Sequence, residues 1–368
     1  MTRRQRRLRR RDRRGRRGPI RRAARALLTA VYASFAALLL AAALAPFLAW
    51  AEWRIDLAAQ FAAHAAAVTA VAAAWWAISR RPVFAGVALV ALTLHAATLL
   101  PGRARWADPG DAHLGSPVRV LQFNALATNR DADAVIELFL TSDADIVSLL
   151  EPSYQVLDAG FRRAYLKGAY PYFDQHQRGA HLGWQYLLSK WPIREFVSPQ
   201  STVDPEGPAS GSVIAVVVER PGGAFGAVLI HPQSPRNPGR WRNGNELVER
   251  AAVIVQQMRA AGLPVVLLAD LNSTPSGYRS RLLARSAGLR RCKPLLLAEG
   301  TFPARWPWPR RIAIDDAWVS DEIRVTSWQT AGPAGSDHAA VIVDLLVPKS
   351  APNSPTPDAD PYVTFGLP

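Results

Sequence analysis

The chain has 368 residues, of which 49% are hydrophobic, with one cysteine and a formal net charge of +15. A single cysteine, Cys292, excludes an internal disulfide framework and a cysteine-based zinc site, and no motif surrounds it, so it reads as a structural thiol. The charge gives no bulk argument for nucleic-acid binding by the C-terminal part: residues 1–25 hold fourteen arginines against one aspartate, leaving residues 102–368 with a net charge of +1.

In chain order, the Arg-rich residues 1–25 are expected to form a cytoplasmic tail that sets topology and touches anionic lipid. Residues 26–101 then contain three uncharged apolar stretches, 26–50, 57–79 and 83–100, the first two long enough to cross a bilayer and the third marginal. They predict a multi-pass membrane anchor of three transmembrane helices. Further spans follow the first, which is also too long for a signal peptide. Trp50, Trp53, Trp75 and Trp76 fall near expected interfaces, and His64 and His95 fall within spans. The loop 51–56 carries one Arg and two acids and suits the outside, whereas Arg80 and Arg81 suit the inside. Three spans from a cytoplasmic head place the remainder of the chain outside the cytoplasm.

Residues 102–117 lack periodicity and read as a linker, residues 118–348 as one globular domain, and residues 349–368 as a Pro- and Ser-rich disordered tail. The domain shows short apolar runs at 118–123, 146–150, 186–188, 212–218, 224–230, 265–268, 312–314 and 339–346, with helical patterns at 132–140 and 245–261. Strands with helices interposed predict an α/β or α+β sandwich.

Polar residues interrupt these runs at their ends: Asn124, Glu151, His231, Asp270 with Asn272, Asp315, and Asp337 with His338. If the strand ends converge, the cluster combines carboxylates, amides and two histidines. Hard cations such as Mg²⁺ take carboxylate oxygens and keep waters, and a histidine paired with a carboxylate transfers protons. The set suits metal-assisted hydrolysis of a phosphate ester. Each piece alone also fits a cap or turn. Of the remaining candidates, Arg236, Arg240 and Arg242 suit a pyrophosphate clamp or a solvated loop. His176 and His181 suit a substrate mouth or an exposed loop, and Trp306 and Trp308 a bilayer interface, an isoprenoid groove or packing under a loop.

Phe123-Asn124, Leu150-Glu151, Gly183 to Pro192, Ile230-His231-Pro232, Asp270-Leu271-Asn272, Ile314-Asp315 and Ser336-Asp337-His338, taken in order, resemble the endonuclease/exonuclease/phosphatase superfamily over residues 118–347. The resemblance implies a DNase I-like four-layer α/β (α+β) sandwich. It implies Glu151 as the main metal ligand, with Asn124 and Asp337 holding metal or its waters and Mg²⁺ or Mn²⁺ as cofactor. It implies that Asp270 and Asn272 orient the attacking water and the phosphate, and that His231 contacts the phosphate. His338 becomes the acid/base residue, oriented by Asp315, although Asp316 follows where many relatives carry His or Tyr and leaves the choice of partner open.

Three spans before such a domain are similar to a narrower bacterial group that includes VanJ-like teicoplanin-resistance membrane proteins, implicated in dephosphorylating undecaprenyl pyrophosphate. The expected substrate is therefore a lipid-linked pyrophosphate or other phosphate ester at the bilayer. An extracytoplasmic nuclease or phosphodiesterase, with nucleic acid the less favoured partner, and an inactive binding module are the alternatives.

Overall fold

The computed structural model describes residues 3–162, 168–177, 184–196, 212–295 and 299–349, with side chains from residue 22 except at 161–162, 174–177 and 184. The chain opens with α1 (Arg3–Leu48), α2 (Trp53–Ala59), α3 (Ala62–Ile78) and α4 (Pro82–Leu99). Small residues make the contacts between the long helices: Ala36, Ala72, Ala73, Ala88 and Ala91 are buried, which lets the backbones approach closely. Large apolar side chains such as Leu38, Val71, Ile78, Val83 and Leu89 point outward and stay exposed. The Arg81 guanidinium lies 5.7 Å from the Tyr32 ring, which brings the α3–α4 turn alongside α1.

The segments Arg22–Leu48 and Pro82–Leu99 are each long and apolar enough to cross a membrane, while α2 and α3 pass only as a pair bent by 57°. The uninterrupted span expected over 57–79 is therefore corrected: Leu57–Ala59 belong to α2. The cause is polar. Glu52 caps α2 by accepting from Arg54 N at 2.8 Å. Asp56, one turn on, is fully buried against the globular domain, and Gln60 ends the helix there.

The domain is built on two sheets. A seven-stranded sheet runs in the order β1 (Arg105–Trp106), β12 (Arg324–Ala331), β13 (Ala340–Val347), β2 (Ser116–Asn124), β3 (Ile146–Leu150), β5 (Trp184–Ser189), β4 (Tyr172–Gln177). A six-stranded sheet runs β10 (Arg290–Arg291), β11 (Asp315–Val319), β9 (Val265–Asp270), β8 (Gly223–Ile230), β7 (Ile214–Arg220), β6 (Ile193–Glu195). Both sheets are mixed, with parallel pairs β2–β3 and β8–β9. Residues 102–117 are not a free linker. Arg105 and Trp106 pair with Arg324 and Val325 at the sheet edge.

Successive side chains on a strand face opposite ways, and here both faces are buried. Val118 and Val120, Phe225, Ala227 and Leu229, Val266 and Leu268, and Ala317 and Val319 meet between the sheets. The other face of the first sheet packs on α5 (Ala132–Ser142) with the short α6 (Tyr154–Leu157) beside it. The other face of the second packs on α7 (Pro238–Ala260) and α8 (Tyr278–Ser286). The order helix, sheet, sheet, helix is the expected sandwich. Cys292 is buried in the inter-sheet core.

The apolar run 312–314 is not a strand. Ile312 makes an isolated bridge with Phe302, and β11 starts at Asp315. Thr301 sets that start, its Oγ1 accepting from the amides of Ile314 and Asp315, each at 3.2 Å. The helix α7 begins before the expected residue 245, because Asn237 caps it by accepting from Arg240 N at 2.9 Å and Pro238 fits the first turn.

Candidate active site

Strand alternation builds the site. The inter-sheet face of β2 runs on to Asn124, that of β8 to His231, that of β9 to Asp270 and that of β11 back to Asp315. Asp315 and Asp270 are direct cross-strand partners. The four positions therefore open into the same end of the slot between the sheets. Glu151 follows β3 with φ +48, and Asn272 follows Asp270 with φ +48. Two non-glycine residues held in the left-handed region mark local strain at functional positions.

These side chains form one hydrogen-bonded group. Asn124 Nδ2 donates to Asp270 Oδ2 at 3.1 Å, and its Oδ1 accepts from Leu126 N. Asp270 Oδ1 accepts from Asn272 N at 2.9 Å. Asn272 Nδ2 donates to the Pro232 carbonyl at 3.1 Å, tying the β9 loop to the His231 loop. His231 lies with Nδ1 3.2 Å from the Asp270 carbonyl and Nε2 2.6 Å from Glu151 Oε1. His338 Nδ1 lies 2.8 Å from Asp315 Oδ2, and Phe302 covers its ring at 4.8 Å between centroids. Ser336 fastens this last loop, its Oγ donating to the Asn124 carbonyl at 2.7 Å and accepting from His338 N.

The choice between Asp315 and Asp316 is settled by contacts. Asp316 is taken up by Arg291 Nε at 2.6 Å, Lys293 N at 3.1 Å and Trp328 Nε1 at 2.8 Å. Asp315 is the carboxylate on His338.

Electrostatics divide the group. Burial raises the Asp270 carboxyl above the ordinary range, Asp315 adds to the rise, and His231 and His338 oppose it. Burial alone would lower the His338 imidazole, but Asp315, Asp270 and Asp337 around it outweigh that and push it up to about 10.

A cavity of about 370 Å³ is lined by Asn124, Glu151, His231, Asp270, Asn272 and Asp337 among others, with Arg236 and Arg240 on its rim. Both arginines are exposed, as is Arg242, which does not line the cavity. The candidate metal residues, Arg236 and Arg240, and the catalytic candidates His231, Asp270, Asn272 and His338 thus share one opening, with Asp315 behind it on His338. The donor chemistry fits a hard divalent cation: Glu151, Asn124 and Asp337 offer oxygens to the same cavity, and Asp337 Oδ1 is buried without a partner among the described residues. Asp270, Asp315 and His338 also bring ligand atoms within 4.8 Å of one another. That inner trio is closed by its own His338–Asp315 hydrogen bond.

Sequence reading missed several residues that hold the site. Arg279 is completely buried and spans two site loops, with Nη1 donating to the Gln233 carbonyl at 2.7 Å and the Leu271 carbonyl at 3.2 Å, and Nε to Asn245 Oδ1. Asp56 of α2 accepts from Trp241 Nε1 at 2.9 Å and Tyr278 N at 2.8 Å. Gln60 accepts from Thr274 N at 2.6 Å and, through its carbonyl, from Thr274 Oγ1. Gly277 leaves room for this junction, since a Cβ there would collide with Gln60 and Ser273. The only sequence signal is the polar pair Asp56 and Gln60 beside an apolar stretch. On the other flank, His64 Nε2 lies 3.0 Å from the Pro309 carbonyl, so His64 meets the domain. Trp306 and Trp308 on that loop are exposed. Of His176 only the backbone, in β4, is described, and His181 lies outside the described residues, as do residues 350–368 of the expected tail.

Residues 120–338 match the family described as the endonuclease/exonuclease/phosphatase family. No curated protein matches the chain. Among solved structures, the catalytic domain of human Nocturnin is 19% identical with a TM-score of 0.48, covering 63% of this chain and 94% of that one. An endonuclease/exonuclease/phosphatase family protein from Bacteroides thetaiotaomicron is 17% identical (TM-score 0.44; 63% and 98% covered). Sphingomyelinase C from Streptomyces griseocarneus is 17% identical (TM-score 0.45; 62% and 99% covered).

Proposed function

Since the chain belongs to the endonuclease/exonuclease/phosphatase family, whose members hydrolyse phosphoester bonds, we propose that it is a membrane-anchored, divalent-metal-dependent phosphohydrolase acting on a phosphate at the lipid surface. In this reading α1, α3 and α4 are the spans. The Arg-rich head and the Arg80–Arg81 turn face the cytoplasm, and the domain stands outside it. The substrate is a lipid-linked pyrophosphate of the cell envelope, of the undecaprenyl pyrophosphate class.

One observation carries the membrane side of the proposal. Both loops beside the site are fastened to the domain-side end of the anchor: Asp56 and Gln60 hold the loop after Asn272, and His64 meets the loop that carries Phe302 to His338. A site built against the anchor works at headgroup level. Arg236 and Arg240 on the rim suit the charge of a pyrophosphate.

Glu151, Asn124 and Asp337 would hold the cation, which when bound neutralises phosphate charge. Asp270, raised by burial and by Asp315, takes the proton of the attacking water, which Asn272 positions. His231 meets the phosphate through Nε2, the nitrogen that Glu151 holds in this structure. Asp315 keeps His338 protonated at neutral pH, so His338 gives a hydrogen bond or proton to the departing oxygen.

The test is turnover by the full chain in detergent with Mg²⁺, Mn²⁺ or EDTA on undecaprenyl pyrophosphate, sphingomyelin and plasmid DNA. Lipid pyrophosphate should be fastest, with EDTA, Glu151→Ala, His231→Ala or His338→Ala abolishing activity. Faster DNA nicking, lost in Glu151→Ala, overturns the lipid reading in favour of a nuclease. No hydrolysis of any substrate with either metal leaves a binding module.

A further inference from the structure

A second cavity, of about 290 Å³, lies where the anchor meets the domain. One wall is apolar and comes from the last turns of two helices, Phe47 of α1 and Ala97 of α4. The lining also carries four arginines, Arg103, Arg281, Arg285 and Arg291. The site described above uses none of them.

These arginines are short of anionic partners. Arg291, with its side chain 4% exposed, spends Nε on Asp316 and Nη2 on the Ala313 carbonyl, and its Nη1 is buried without a partner among the described residues. Arg103 donates to the carbonyls of Lys293 and Leu99, and its Nε is also buried and unpartnered. Arg281 Nε is in the same state. Among the described residues, Asp316 and Asp56 are the carboxylates seen to act on this group, the first on Arg291 and Arg103 and the second on Arg281. Lys293 adds a further cation beside Asp316. Burial first, and then the like charge of a neighbouring arginine, weakens the hold of Arg103 and Arg281 on their protons, and an anion in the cavity would relieve both effects. Buried unpaired charge is costly, and buried donors are normally satisfied.

We infer that this cavity binds the phosphate of an anionic phospholipid, with the headgroup on Arg281, Arg285 and Arg291 and the acyl chain along Phe47 and Ala97. The combination selects such a ligand: cationic donors at the level where α1 and α4 end, and an apolar wall continuous with the faces of those helices. A free phosphate satisfies the first feature and leaves the second unused. The inference rests on the proposed membrane anchoring. Ser280 and Pro275 also line the cavity, and Ser280 bonds Ser273 in the loop after Asn272. A lipid seated here would therefore brace that loop from the side away from the catalytic opening.

The experiment is native mass spectrometry of the full chain, extracted from membranes and exchanged into mixed neutral and anionic lipid. It is paired with thermal unfolding in the presence of anionic vesicles, neutral vesicles or inorganic phosphate. The wild type should retain one anionic phospholipid, and anionic vesicles alone should raise the unfolding temperature. Arg281→Gln with Arg285→Gln should lose both effects. Ala284→Leu, which fills the cavity and keeps every charge, should lose them as well. Equal retention of neutral lipid, retention by both variants, or equal protection by inorganic phosphate overturns the lipid site. Alkaline carbonate extraction separates the two failures. A chain released by carbonate refutes the membrane anchoring, whereas a chain that stays in the membrane without lipid preference refutes only this cavity.

Discussion

His338 ties protonation to folding. Its folded value of about 10 stands above the ordinary 6.5. A raised base contributes stability that is fully present below about 6.5 and is lost as pH rises through about 10. In EDTA, denaturant unfolding of the full chain should show stability falling across that window, and His338→Gln should flatten the fall. An unchanged slope in the variant would show that the carboxylates around His338 do not hold its proton. Arg279 is the second residue of consequence. Replacing it by Met strands the carbonyls of Gln233 and Leu271 and the amide of Asn245, at a cost of about 1–3 kcal/mol for each buried group left unsatisfied. Turnover should fall by about 100-fold, as for a small misplacement of reacting groups, with less change in KM; wild-type stability in Arg279→Met would contradict the role assigned. The polar residues at strand ends were legible because they break apolar runs, and all of them line the cavity except Asp315, which sits behind His338. Arg279 was not legible, because its work is done on backbone carbonyls, which have no residue signature.

The strands with two buried faces announced themselves as apolar runs. β12 did not, because its outward positions, such as Thr326 and Gln329, are polar and exposed. α8 was missed for a similar reason, since arginine and serine fill its buried positions Arg279 and Ser280. The short α2 straddles the expected loop 51–56 and the start of the apolar stretch 57–79, and its identity as a separate element depends on partners more than 180 residues away. Those partners make a test. Asp56→Ala removes the acceptor for Trp241 Nε1 and Tyr278 N, and hydrogen bonds to a charged group contribute about 1.5–3 kcal/mol each. The variant should unfold earlier and lower kcat more than KM, with Asp56→Asn recovering part of both. Wild-type kcat in Asp56→Ala would mean that the anchor merely carries the domain.

At the scale of the molecule, the charge is sorted: fourteen arginines lie in residues 1–25, and residues 102–368 are close to neutral. That sorting was readable from the sequence and fixed the expected orientation. The junction was not, because residues 102–117 looked like a tether and instead pair into the sheet edge. A reporter active only outside the cytoplasm, fused after Pro348, should work; activity confined to a cytoplasmic reporter would reverse the orientation. The absence of slack at the junction has a mechanical side. At about 1.5 Å rise per residue, the 17 residues of α3 and 18 of α4 reach about 26 and 27 Å, at the lower end of what crosses a hydrocarbon core of about 30 Å. If α3 and α4 span as proposed, a thicker bilayer would be thinned locally around them, and the strain would reach Gln60, one hydrogen bond from Thr274 in the loop that follows Asn272. In the anchored arrangement, membrane thickness becomes an input to the chemistry: reconstituted into lipids of increasing acyl length, the full chain should lose turnover steadily, and Gln60→Ala, with that bond cut, should respond less.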